Sequence, residues 1–348
     1  ADALGEARLQ FIRGKSNTNF RNRVTRLGDI INSAPAVVAN AQYLAYLANP
    51  IEFDSIPYED FKNKVDTTST TQGRKRLIYV GANDGMLHAF DEATGKEEFA
   101  FIPSTIFEKL NLLAGNSYKG SAHQFYVDGS PVVADTVIDG EWRTVLIGTF
   151  RAGGKGIFAL DVTDPSKIKL LWEINLTSEV DMGHSMPKPT VARLHNGQWA
   201  VVTGNGYSSQ DDKAALLIFN VKDGSLIRKL EVKGKEGIPN GLSTPKLADN
   251  NSDGVADYAY AGDLQGNMWR FDLLTKTTAD VSLDSERLGR TSAVSGGKLV
   301  SAEKPETAKN FKVSFGGKPL FSAQASDNSS QAITAAPSIV RHPSSTGY

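Results

Sequence analysis

Residues Asp249 to Asp257 read D-N-N-S-D-G-V-A-D and crowd three carboxylates, Asp249, Asp253 and Asp257, into one short loop. Like charges packed this closely repel unless a cation lies between them. A hard cation such as calcium takes about six to eight oxygens. The first half of an EF-hand loop supplies them from side chains at positions 1, 3 and 5, a backbone carbonyl at 7 and a further oxygen at 9. Asp249, Asn251, Asp253, Val255 and Asp257 fall on those positions in order, and Gly254 sits at position 6, where the chain turns sharply. Two features depart from the EF-hand. Position 12 is Tyr260 instead of a bidentate Glu, and the flanks read as strands. The shell would then be closed by Asp257 and water, which predicts a site suited to micromolar or higher calcium. The competing reading is a solvated Asx-turn between two strands. It accounts for the composition of the loop but not for the alternation of ligands.

No other group of residues predicts a site. His88, His123, His184, His195 and His342 show no metal-ligand spacing, and His88 falls inside a strand, where packing is the expected role. Gly153-Gly154-Lys155-Gly156 bridges two strands instead of opening a helix, so it reads as a hairpin turn and not a phosphate loop. Gly183-His184-Ser185 and Gly241-Leu242-Ser243 lack the second glycine of a nucleophile elbow. Trp142, Trp172, Trp199 and Trp269 read as core, and Arg74-Lys75-Arg76 as a solvated basic turn. The absence of cysteine excludes disulfides, thiolate metal sites and cysteine nucleophiles. With 38 Lys and Arg against 39 Asp and Glu, no overall charge excess drives the chain onto nucleic acid or anionic lipid. No catalytic residues and no enzymatic activity are expected.

The elements that must position the loop come from an internal repeat. A small residue followed by Pro opens a strand at Ser33-Ala34-Pro35, Gly129-Ser130-Pro131, Pro187-Lys188-Pro189, Ser243-Thr244-Pro245 and Ala335-Ala336-Pro337. Pro131, Pro189 and Pro245 are 58 and 56 residues apart, one sheet's worth of chain each. Within each unit a second apolar run ends in Gly (Gly81, Gly148, Gly204, Gly262). A third closes on Asp or Asn (Asp91, Asp161, Asn220, Asp272), and a tight turn leads to a fourth. Four antiparallel strands per unit, with inner strands apolar throughout, describe the blade of a β-propeller. The whole chain, 1–348, reads as a single propeller domain. Helical insertions are expected at about 44–70 and 103–124, and a long loop insertion at about 280–331. Helix-spaced apolar residues lie over Ala3 to Ile12, Ile56 to Val65 and Ser104 to Leu113, with Ser104 as N-cap. The strand pattern begun at Ala335 stops at Tyr348 before its partners appear. The chain is therefore expected to be a fragment with an incomplete last blade.

The phrases Leu27-Gly28-Asp29-Ile30-Ile31-Asn32-Ser33-Ala34-Pro35 and Tyr79-Val80-Gly81-Ala82-Asn83-Asp84-Gly85-Met86-Leu87-His88-Ala89-Phe90-Asp91 share one chain with the acidic loop. Together they resemble the C-terminal propeller of the PilY/PilC family of type IV pilus biogenesis, tip-associated adhesin proteins. The resemblance implies an all-β fold, a modified seven-bladed propeller similar to quinoprotein propellers, at the cell surface, pilus or outer membrane. It implies that calcium held by Asp249, Asn251, Asp253, Val255 and Asp257 balances pilus extension against retraction. It also implies a part in twitching motility and surface adhesion, with minor pilins, the pilus machinery and host or abiotic surfaces as partners. Two alternatives stand beside it. One is a quinone-cofactor propeller dehydrogenase, against which the lack of an adjacent-cysteine disulfide counts. The other is a structural propeller in which the ion only staples two strands.

Overall fold

The computed structural model describes residues 3–42, 57–66, 72–175, 180–250, 253–275, 294–295, 298–299 and 305–340. Each repeat unit becomes one antiparallel sheet whose strands follow chain order. The first sheet is β1 (Ala36–Val38), β2 (Leu77–Gly81), β3 (Leu87–Asp91) and β4 (Glu97–Phe101). The second is β5 (Val132–Ile138), β6 (Glu141–Thr149), β7 (Gly156–Asp161) and β8 (Lys169–Asn175). The third is β9 (Thr190–Leu194), β10 (Trp199–Gly204), β11 (Ala215–Asn220) and β12 (Leu226–Glu231).

The fourth sheet starts with β13 (Lys246–Ala248), after which β14 (Val255–Ala256) crosses to the third sheet and pairs in parallel with β9. It continues with β15 (Tyr258–Gly262) and β16 (Asn267–Asp272). β17 (Val294–Ser295) pairs with β18 (Lys298–Leu299). The edge of β16 is then taken by β19 (Lys312–Val313) and β20 (Phe321–Ser322), both from within the 280–331 stretch. The fold is all-β with mostly antiparallel sheets, and four blades lie among the described residues.

Inner strands of the second and third sheets are buried on both faces because each of these sheets packs between two others. All six residues of β7 and of β10 are buried, whereas β4 and β12 are half-exposed edges. Successive side chains on a strand point to opposite faces, so alternate residues feed different cores. Val201, Leu217 and Phe219 join Trp142, Trp172 and Trp199 on the second-sheet side. Ala200, Val202, Leu216 and Ile218 join Trp269 and Phe271 on the fourth-sheet side.

The Pro-led phrase and the Gly that ends each second strand are two halves of one seam. Ser33 Oγ accepts the Gly81 N–H at 2.9 Å and donates to Gly129 O at 3.0 Å, across to the second sheet. At Gly204, a Cβ would lie 2.3 Å from Ser243 O and 2.4 Å from Leu242 O, so only Gly lets the backbones of consecutive units approach this closely.

Three local expectations change. The helix within the first insertion runs Tyr58–Val65, and much of the 44–70 stretch lies outside the described residues. The Ser104 stretch is a 3-10 turn, Ser104–Lys109, followed by a short α-helix, Leu110–Ala114. Pro103, not Ser104, takes the N-cap position, and the Ser104 N–H is satisfied by Glu173 Oε1 at 2.8 Å. Arg74 is not a solvated turn residue. Its guanidinium donates to Ala39 O, to Asn40 O at 2.9 Å and to Thr144 Oγ1 at 2.6 Å, bridging the first and second sheets. No helix among the described residues is long and apolar enough to cross a membrane.

Candidate metal-binding loop and family

The loop from Asp249 to Asp257 joins β13 to β15, as the strand flanks predicted, and is held at three places. Its start wraps around Asp249, whose Oδ2 accepts the Gly254 N–H at 2.8 Å and whose Oδ1 accepts the Asp253 N–H at 3.2 Å. That wrap needs φ of +83° at Gly254, the left-handed region that glycine enters without strain. Asp253 Oδ1 accepts the Val255 N–H at 2.8 Å, leading the chain into β14. Val255 and Ala256 then lie against Arg193 and Leu194 of β9. The loop closes at Asp257, whose N–H donates to Ala248 O and whose carbonyl accepts the Leu273 N–H, both at 2.9 Å. Asn251 lies outside the described residues.

Burial pushes the Asp249 carboxyl above its ordinary pKa, and the neighbouring Asp253 and Asp257 charges push it further, against the N–H groups of Gly254 and Asp253. A bound cation would favour the ionised carboxylates and so oppose both effects. The donor set is oxygen only, three carboxylates with an amide and a carbonyl, and fits calcium by type. It is not gathered into a shell. Among the described residues no three acidic or histidine side chains stand close enough together to hold a metal. Asp257 accounts for part of this. Its Oδ2 accepts the Asn250 N–H at 2.6 Å, and its Oδ1 lies 2.6 Å from His195 Nε2.

Sequence spacing gave His195 no role. It stands in the turn after β9, in a different sheet and 62 residues from Asp257, so no local pattern joins them. The other histidines described lie elsewhere. His88 is buried in β3, with Nε2 3.1 Å from Asp84 and Nδ1 2.6 Å from Glu97, and is the packed strand residue expected. His123 meets Asp29 at 3.0 Å, and His184 bridges to Tyr207. His342 lies outside the described residues. The four tryptophans are all core. Trp172 Nε1 donates to Val221 O at 2.9 Å and Trp269 Nε1 to Asp263 Oδ2 at 2.8 Å. Gly153 to Gly156 connects β6 to β7, as a hairpin reading requires.

The family model of the PilY1 beta-propeller domain matches residues 27–348. The chain belongs to this family. A type IV pilus biogenesis factor PilY1 from Pseudomonas aeruginosa strain PAK is 58% identical over 353 residues, covering 100% of this chain and 28% of its own length. A PilY1 homolog of Xylella fastidiosa is 41% identical over 275 residues, covering 74% of this chain and 18% of its own. The crystal structure of the P. aeruginosa PilY1 C-terminal domain superposes with a TM-score of 0.72 at 59% identity, covering 88% of this chain and 57% of that one. The chain is therefore homologous to the C-terminal region of PilY1 and spans 28% of the length of the P. aeruginosa factor. These PilY1 relatives are named as type IV pilus biogenesis factors.

Proposed function

We propose that the chain is the calcium-binding propeller of a type IV pilus biogenesis factor, and that Asp249, Asn251, Asp253, Val255 and Asp257 hold the ion. One observation carries this reading. Half-buried Asp249 accepts the Gly254 and Asp253 N–H groups of its own loop, and its proton affinity is raised by its partial burial and by the charges of Asp253 and Asp257. Binding would draw Asp253 and Asp257 towards Asp249 and offset their mutual repulsion. In the whole protein the site would set the balance of pilus extension and retraction and support twitching motility and surface adhesion. It would work at the cell surface or pilus, with pilins and host or abiotic surfaces as partners. The remaining blades of a modified seven-bladed, quinoprotein-like propeller belong to the same reading.

Isothermal titration of the chain with calcium, repeated on Asp253→Ala, tests the site. Micromolar to millimolar binding that is lost in the variant is expected, and equal heats from the two proteins would remove the site. Pilus display by cells carrying Asp253→Ala, compared at limiting calcium, tests the regulatory role. A second reading, the ion as a structural staple, is favoured by β14, which ties the loop to the third sheet. A calcium-dependent melting temperature with unchanged pilus display would select it.

A further inference from the structure

The loops that follow the second strands of the second and third sheets meet where β6 and β10 end, at Thr149 and Gly204. The calcium loop lies at the other end of the strands, where β13 ends and β9 turns into β10. Three cations and a histidine converge at this meeting point. Lys155 Nζ reaches from the first loop to donate to Ser208 O of the second. Lys109, from the 3-10 turn Ser104–Lys109, donates to Phe125 O at 2.7 Å and to Gly153 O, and lies 4.6 Å over the Tyr126 ring. His184 donates its backbone N–H to Tyr207 O at 2.7 Å, and its ring lies against the Arg151 backbone. Arg151 holds a φ of +50° and Ser208 one of +57°, the left-handed region that residues other than glycine seldom enter.

These positive charges lack counter-charge. Among the described residues, neither Lys109 nor Lys155 makes an ion pair. Arg151 has Asp128 as its carboxylate, with Nε 3.8 Å from Oδ2, and its guanidinium makes no hydrogen bond among the described residues. Asp128 is already engaged, because its oxygens accept the Asn32 N–H at 3.1 Å and the Asn32 side-chain amide at 2.7 Å. His184 Nδ1 is buried and likewise has no hydrogen-bond partner. Burial draws the Lys109 ammonium down to about 8, and no neighbouring carboxylate holds it up. Burial also lowers the His184 imidazole, and the Lys155 and Lys109 charges lower it further, against the Arg151 backbone. A charge drawn out of water is costly unless a counter-charge accompanies it. Lys309, Lys312 and Lys318 differ in this respect, since they are exposed and water solvates them.

The balance of charge selects the ligand. Lys109, Arg151 and Lys155 oppose the single carboxylate of Asp128, which leaves two positive charges uncompensated. They are gathered about one turn, with Lys109 bound to Gly153 O and the other two on either side of Gly153. A phosphoryl group matches this arrangement, because it carries about −1.5 to −2 charges at pH 7 on one compact set of acceptor oxygens. A carboxylate brings one charge, and a dicarboxylate holds its two apart. We propose that Arg151 and Lys155 bind a phosphoryl group at this seam, Arg151 through its guanidinium fork, with Lys109 supplying positive charge beside them. The Gly153-Gly154-Lys155-Gly156 turn is still no phosphate loop, since side chains from two blades hold the anion and the amides of the turn do not. The proposal does not rest on the calcium loop.

The test is isothermal titration of the 348-residue chain with sodium phosphate, near neutral pH, without calcium and at constant ionic strength. Saturable binding that weakens at least tenfold in Arg151→Gln and in Lys155→Gln is expected. Lys169→Gln, at the other end of the second sheet, should bind as the parent does. Acetate and succinate should bind at least tenfold more weakly than phosphate. Urea midpoints matched to the parent establish that each variant folds. If Arg151→Gln does not, Arg151→Lys replaces it, which keeps the charge, loses the fork and should still weaken binding. Glycerol 3-phosphate and phosphatidic acid vesicles then separate a soluble phosphate ester from a lipid headgroup, and binding of either upholds the site if the two variants lose it. The proposal is overturned if phosphate gives no saturable heat, or if either site variant binds as the parent does. It is also overturned if Lys169→Gln loses as much, or if acetate or succinate binds as tightly as phosphate.

Discussion

His195 Nε2 and Asp257 Oδ1 lie 2.6 Å apart across the seam between the third and fourth sheets. Asp257 is the last of the proposed calcium-ligand positions, and His195 belongs to the neighbouring blade. Immediately beside this contact, β14 pairs with β9 across the same seam. The loop is therefore anchored to two blades at once, by a side chain and by backbone. A histidine hydrogen-bonded to a ligating carboxylate fixes the direction in which that carboxylate points, and loss of such a partner weakens metal binding about 10-fold or more.

His195→Ala is accordingly expected to weaken calcium binding about tenfold and to cost roughly 1–2 kcal/mol of stability in chelator. Calorimetric titration and urea unfolding of the same variant measure the two effects. Unchanged or tighter calcium binding would show that His195 competes for Asp257 instead of orienting it.

Arg74 and Arg76 stand two residues apart in one basic run but have different roles. Arg74 inserts its guanidinium between the first two sheets, among Ala39 O, Asn40 O and Thr144 Oγ1. Thr144 in turn donates to the buried Asp135. Arg74→Met removes the donor from Ala39 O and Thr144 Oγ1 and should cost about 2–3 kcal/mol. Arg76 pairs only with exposed Glu92, so Arg76→Met should cost under about 0.5 kcal/mol. Equal urea midpoints for the two variants would contradict the bridging role.

That contrast shows what could be read from sequence. The sheets were legible because burial on both faces leaves apolar runs such as Ala215 to Phe219, and the link between two strands at Asp249 to Asp257 was legible because its acidic residues and Gly254 fall in one short turn-like stretch. Contacts between sheets leave no such trace. Arg74 looks like any basic turn until Thr144 is placed beside it, and His195 looks idle until the blade after it returns Asp257. The Ser104 cap failed for a related reason, because Glu173 from the second sheet supplies the acceptor a local cap would have given. β14 was also missed, since two residues paired in parallel with a distant strand have no periodicity to detect.

His88 gives the fold a pH dependence. Burial disfavours its charge, but hydrogen bonds and charges from Asp84 and Glu97 outweigh that, and its pKa is raised above the ordinary value. A raised folded-state pKa means the stabilising contribution is complete below the unfolded value of about 6.5 and is lost as pH rises through the folded one. Unfolding free energy should therefore fall with pH on the alkaline side of about 6.5, and His88→Asn should flatten that fall. Urea unfolding across this range measures it, and parallel curves for parent and variant would refute the assignment.

The seam between consecutive repeat units depends on glycine where the backbones meet. Gly204 ends β10 with its Cα facing the Leu242 and Ser243 carbonyls of the phrase that opens the fourth sheet. Ser243 fastens that phrase from the other side, its N–H and Oγ both donating to Gly262 O at 2.9 and 2.8 Å. Backbone held at both ends cannot withdraw from a new methyl group as a flexible side chain could. Gly204→Ala should then destabilise by about 3 kcal/mol, the upper part of the range for overpacked cores. Gly95→Ala is the useful comparison, because its added methyl would meet nothing within 4 Å. Its φ of +68° still strains an L-residue, so it should lose only about 1 kcal/mol. If the two variants lose the same amount in urea unfolding, backbone conformation alone explains the glycines, and close approach of the blades does not.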